Sequence, residues 1–171
     1  MPCIIIFALS SCAHKSGRHG YDNNRSTTIS KYQNSDRRER KVGGHTKVSM
    51  RKEGGVYLVP ITVNGLNLDF IFDTGASSIS LSSAEAMVML RQGHITQEDI
   101  VGQQQFQDAT GGVSVGTIVL LRTVKIGDIT LENVEASIVD NIQAPLLLGQ
   151  TALAKFGKVT IDYNHNTIEF N

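Results

Sequence analysis

From residue 54 onward the chain alternates apolar and polar positions with a period of two, and the runs are broken by Gly and Asn, which is the pattern of short strands joined by tight turns. Val56-Tyr57-Leu58-Val59-Pro60-Ile61-Thr62-Val63 is apolar and β-branched, with Pro60 marking an edge or a bulge. Asn64-Gly65 then supplies the two positive-φ residues of a type I′ turn, and Leu66, Leu68, Phe70 and Phe72 return on one face. The periodicity changes at Ser82-x-x-Glu85, a capping box that predicts a helix over 84–92 closed by Gly93. Residues 115–126 and 129–139, joined at Gly127-Asp128, predict a second hairpin of alternating apolar residues. A short helix over 150–156 is stopped by Gly157, and Val159-Thr160-Ile161 and Thr167-Ile168-Glu169-Phe170 flank Asn164-His165-Asn166 as a final hairpin. The expectation is an all-β domain over residues 54–171 with two short helices.

The first 53 residues read differently. Ile4-Ile5-Ile6-Phe7-Ala8-Leu9 leads into Ser10, Ser11 and Cys12, and Leu9-Ser10-Ser11-Cys12 resembles the bacterial lipobox, making residues 1–12 a signal-peptide-like leader. That resemblance implies diacylation of Cys12 and an address on the bacterial cell envelope, lipid-anchored or periplasm-facing. The alternative is a cytoplasmic protein with a mildly apolar N-terminus. Residues 13–53 are rich in Ser, Asn, Arg, Lys and Gly, with apolar residues too scattered to form a face. Such a segment cannot offset the entropy of ordering, so a disordered basic linker is expected.

Charge sharpens this division. Residues 1–52 hold 11 of the 16 basic and 3 of the 16 acidic residues, a balance of +8 against −8 for the remainder. A domain that grips nucleic acid would carry its cations on the folded part, so no nucleic-acid partner is expected. The cluster Asp36-Arg37-Arg38-Glu39-Arg40-Lys41 reads as solvated linker, and its charge would favour an anionic membrane if Cys12 is acylated. No apolar run approaches the roughly 18 residues of a spanning helix. Both cysteines, Cys3 and Cys12, precede the domain, leaving it without thiolate ligands or disulfides, and the five histidines show no metal-ligand spacing. No metal or organic cofactor is expected.

One feature breaks the apolar pattern. Asp73-Thr74-Gly75 stands between Phe70-Ile71-Phe72 and Ala76-Ser77-Ser78-Ile79-Ser80-Leu81. A plain turn at a strand end would use the same residue types. Flanks that read as buried argue against a plain turn, because a carboxylate placed there is costly unless it has a purpose. Farther on come Leu147-Leu148-Gly149 before a short helix and, between the two, the glycine-rich stretch Gly111-Gly112-Val113-Ser114-Val115-Gly116, expected to be a hairpin tip.

Together these motifs resemble the retropepsin-like aspartic proteases, specifically the bacterial single-domain relatives of retroviral proteases, over residues 54–171. The resemblance implies an acid-protease barrel working as a C₂ homodimer on a peptide or protein substrate. It makes Asp73 the catalytic aspartate and Thr74, Gly75 and Ala76 its active-site loop. Thr74 would hydrogen-bond across the dimer, and Gly75 would permit close backbone approach. Leu147, Leu148 and Gly149 would pack behind the loop, and Gly111, Gly112, Val113 and Gly116 would belong to the flap. A helix inserted after Asp73 and a wide spacing to the flap depart from the compact retroviral pattern. The mechanism needs two carboxylates sharing one proton, and the chain holds a single Asp-Ser/Thr-Gly, so one copy would hold half a site. The rival reading is a catalytically silent peptide-binding or dimerisation module of the same fold.

Overall fold

The computed structural model describes residues 39–107 and 112–171. The leader at 1–12 with Cys12, the linker at 13–38 and Gly111 lie outside the described residues. Twelve strands form among them: β1 (Arg40–Val42), β2 (Thr46–Ser49), β3 (Arg51–Glu53), β4 (Val56–Val63), β5 (Leu66–Phe72), β6 (Ile79–Ser82), β7 (Ile100–Gln107), β8 (Val113–Ile126), β9 (Ile129–Val139), β10 (Leu147–Leu148), β11 (Val159–Asp162) and β12 (Thr167–Phe170). Two helices accompany them, α1 (Ser83–Arg91) and α2 (Gln150–Phe156), with a 3-10 turn at Gln97–Asp99.

The turn chemistry acts as read. Asn64 and Gly65 take φ of +48° and +87°, and Val63 faces Leu66 across the β4–β5 turn. Ser82 caps α1, its Oγ accepting from the Glu85 amide at 3.1 Å, while Gly93 leaves the helix at φ +75° and the His94 amide bonds back to the Met89 carbonyl. Pro60 is explained by its neighbours. The edge of β4 away from β5 is paired with β3 at residues 56–58 and with β8 at 62–63, so Pro60 falls in the gap, where no amide is asked for.

The pairings close on themselves. Starting from β5, the ladder runs β4, β8, β9, β6, β10 and back to β5, a barrel whose interior holds Val59, Phe70, Ile79, Leu81, Val119, Leu121, Val134 and Leu148, all essentially inaccessible. Closure removes sheet edges within the ring. A second sheet, β11-β12-β2, brings Ile168 and Phe170 into the core, and Phe170 stacks obliquely on Phe156 of α2 at 5.3 Å.

Two expectations are corrected. The linker does not extend to residue 53, because residues 40–53 form three strands: β1 pairs with β9, β2 with β12 and β3 with β4. Their sequences are charged and mostly exposed, with Thr46 and Met50 the inward residues. An edge strand needs a free ladder to pair with rather than an apolar face, which hydrophobic patterning cannot detect. The second correction concerns the β8–β9 hairpin. Its alternation slips by one residue between Leu121 and Val124 and, opposite them, between Leu131 and Val134, where Asn133 has φ +58°.

Candidate active site

Asp73 leaves the end of β5, and the loop 73–78 crosses to β6, a strand that β5 does not pair with. The two are held apart by β10, which runs parallel to β5 (Leu147 beside Ile71, Leu148 beside Phe72) and antiparallel to β6 (Leu147 beside Ser80). Backbone bonds lock the insertion: the Ile71 amide donates to the Leu146 carbonyl at 2.8 Å and the Asp73 amide to the Leu148 carbonyl at 3.2 Å. The apolar pair of the Leu-Leu-Gly motif therefore fixes the point at which the carboxylate emerges.

Gly149 lies directly against the loop. A methyl group there would stand 2.3 Å from the Ser78 carbonyl oxygen and 2.7 Å from both the Ala76 oxygen and the Ser78 nitrogen. Its φ of −89° suits any residue, so glycine is needed for space rather than for conformation. Immediately after it, the amides of Gln150 and Thr151 donate to the carbonyls of Ala76 and Ser77 at 2.9 and 3.0 Å. The first turn of a helix has amides without partners inside the helix, and here the loop supplies two of the acceptors. These two backbone contacts were not foreseen; their one sequence signal is a helix starting directly after the glycine.

Within the loop, the Gly75 amide donates to Asp73 Oδ1 at 2.8 Å and the Ala76 amide to the Asp73 carbonyl at 3.3 Å. The carboxylate is thus oriented by its own turn. Asp73 is half-buried, Thr74 and Gly75 are exposed, and the flanking Phe70 and Ile79 are fully buried. The loop is presented outward from a rigid apolar base. Beside it an open hollow of about 610 Å³ is lined by Phe72, Thr74, Leu153, Ala154, Val159 and Ile161.

The glycine-rich segment joins β7 to β8, which pair from Ile100 beside Val119 out to Gln107 beside Val113. Gly112 and Val113 stand at the outer end of this arm, Val113 being 64% exposed. Gly116 is corrected from tip to strand, because it sits in the ladder opposite Gln104. The arm's first strand, β7, was missed. It reads Ile-Val-Gly-Gln-Gln-Gln-Phe-Gln, without the alternation that marks a half-buried strand. Among the described residues no cluster of His, Cys, Asp and Glu could hold a metal ion, and no helix is long and apolar enough to cross a membrane.

Comparison with known proteins agrees with this geometry. A family model described as "gag-polyprotein putative aspartyl protease" matches residues 59–155, which takes in both the Asp73 loop and the Leu147-Leu148-Gly149 strand behind it. Among solved structures, a retropepsin-like aspartic protease from Rickettsia conorii is 21% identical, with a TM-score of 0.57 over 79% of this chain and 94% of the other. At that identity the likeness speaks for the fold. No curated protein matches the chain.

Proposed function

From the premise that this chain belongs to the gag-polyprotein aspartyl protease family and has the retropepsin-like fold, we propose that it is an aspartic endopeptidase whose active site is completed by two copies, each contributing Asp73. The observation that carries this reading is the outward presentation of the Asp73-Thr74-Gly75 turn from a base fixed by β10, Gly149 and the first amides of α2. The exposed Thr74 and the hollow beside it, lined largely by apolar side chains, supply a surface for the second copy to cover.

The chemistry follows from two carboxylates brought together. Like charges at about 3 Å do not both ionise, so the pair holds one proton between them. The ionised partner takes a proton from a water molecule as its oxygen attacks the peptide carbonyl carbon. The protonated partner donates to the carbonyl oxygen, giving a gem-diol intermediate. The C–N bond then breaks, with a proton passed to the leaving nitrogen. Thr74 would link the two loops, and the β7–β8 arm with Gly112 and Val113 would cover a bound peptide as the flap.

Asp73→Asn keeps the shape of the side chain and removes the base. Its expected outcome is an intact fold, unchanged association and no measurable cleavage of a peptide library, whereas retained cleavage would assign the chemistry to other residues. For the address, we propose a lipid anchor at Cys12, resting on Leu9-Ser10-Ser11-Cys12. Cys12→Ser should then move the protein from the membrane fraction to the soluble fraction, and an unchanged distribution would favour the cytoplasmic alternative.

A further inference from the structure

Among the described residues, the sheet edges fall into two kinds. β1, β2, β3 and β11 each pair on one side, are three or four residues long and carry charge: Arg40 and Lys41, Lys47, Arg51 with Lys52 and Glu53, and Asp162. Short, charged edges are the usual protection against pairing with another chain. β7 has none of this protection. It is eight residues long, pairs with β8 alone, contains no charged residue and no proline, and is exposed over residues 100–105.

Its support is also thin. β9 begins to pair with β8 at Thr117, so residues 113–116 of β8 pair with β7 only, and the outer part of the arm is a two-stranded ribbon. Two strands alone are marginal in water, and a third or fourth strand stabilises them. The sequence of β7 indicates which strand fits. In an antiparallel pairing about a twofold axis at Gln104, Gln104 faces its own counterpart and Gln103 faces Gln105, so no charge is repelled. Each glutamine amide both donates and accepts, so facing glutamines can satisfy one another, as in stacked glutamine ladders. The edge carries no charge with which to recognise a particular foreign peptide.

We propose that the β7 edge is a self-association surface, pairing antiparallel with β7 of a second copy about Gln104. It is separate from the Asp73 loop, since β7 is not paired with β5, β6 or β10, and it would join copies beyond any association made through that loop. The inference stands whether or not the chain is a peptidase.

Sedimentation velocity of the full chain over a concentration series should show species joined through β7 growing with concentration: larger than a dimer where copies also associate through the Asp73 loop, and a dimer where they do not. Gln104→Lys sets two ammonium groups opposite each other and should abolish those species while the circular dichroism spectrum stays that of the folded protein. A second variant covers the case in which that chain misfolds. With Cys3 and Cys12 changed to Ser, Gln104→Cys should form a disulfide-linked dimer under mild oxidation, whereas Gln103→Cys should link only when mixed with Gln105→Cys. A chain that shows no concentration-dependent association, or whose association persists unchanged in a folded Gln104→Lys variant, would overturn the proposal. So would the absence of a link at position 104. A Gln104→Lys chain that alters peptide turnover but not assembly would make the edge a peptide-binding surface instead.

Discussion

The Asp73 loop and the β7–β8 arm both project from the barrel, and they are built in opposite ways. The loop is bonded by backbone groups of β10 and α2, is pressed by Gly149 and turns about its own aspartate. The outer part of the arm has one ladder, both faces of β7 are exposed from residue 100 to 105, and there is space around Gly102, where a methyl group would meet nothing within 4 Å. A group that must meet a reacting atom at a set distance gains from being over-determined, while a cover that must admit and release a chain gains from having few bonds. The difference lies in backbone contacts rather than in side-chain type, which is why glycine appears in both regions for unrelated reasons.

The sharpest way to break this comparison is to make the same small change in each region. Gly149→Ala drives a methyl group into three backbone atoms that have no flexible end to yield, and overpacking of this kind typically costs about 1–3 kcal/mol. The variant should unfold at clearly lower temperature, and cleavage should fall by more than the loss of folded protein explains. Gly102→Ala should shift stability by no more than about 0.5 kcal/mol in either direction, the usual range for a surface change. Equal effects on thermal unfolding at the two sites would remove the distinction between a rigid loop and a loose arm.

A smaller effect concerns the turn between β11 and β12. Asp162 accepts from the ring of His165 at 2.6 Å and from the backbone amides of His165 and Asn164, and these bonds, the His165 ring first, hold its carboxyl below the ordinary value of 3.8. A carboxylate with a depressed native pKa adds stability that is present above the unfolded value and is lost as pH falls through the native one. The β11–β12 turn should therefore weaken below pH 3.8, by a small amount because the group is exposed, and Asp162→Asn should flatten that part of the stability profile. Thermal unfolding followed from pH 5 to pH 2, an interval of about three units chosen to span the ordinary carboxylate range, measures this directly. An unchanged slope in the variant would assign the acid sensitivity to another carboxylate.

Much of this structure was legible in the sequence because it rests on local rules. Asn64-Gly65, the Ser82 cap, the start of α2 after Gly149 and its stop at Gly157 each declare themselves through one or two residues, and the structure places them as read. The Asp73 motif was legible for a different reason: a carboxylate between Phe72 and Ile79 contradicts the pattern around it. What escaped was non-local pairing. β1 to β3 look like linker because their stabilising contacts are backbone ladders to β9, β12 and β4, strands distant in sequence. β7 was missed because the consecutive residues Gln103, Gln104 and Gln105 are all exposed, leaving no alternation to detect.

The central claim, that a site draws one Asp73 from each of two chains, is tested most directly by mixing. Wild-type and Asp73→Asn chains combined in equal amounts and allowed to exchange should form pairs at random, with only wild-type pairs active. About a quarter of the pairs are then wild type, so activity should fall to about half of that shown by the same wild-type chains before mixing, and an excess of variant should drive it toward zero. Activity that stays proportional to the wild-type chain concentration, with exchange demonstrated independently, would mean that each chain carries a complete site and would contradict the shared-aspartate mechanism.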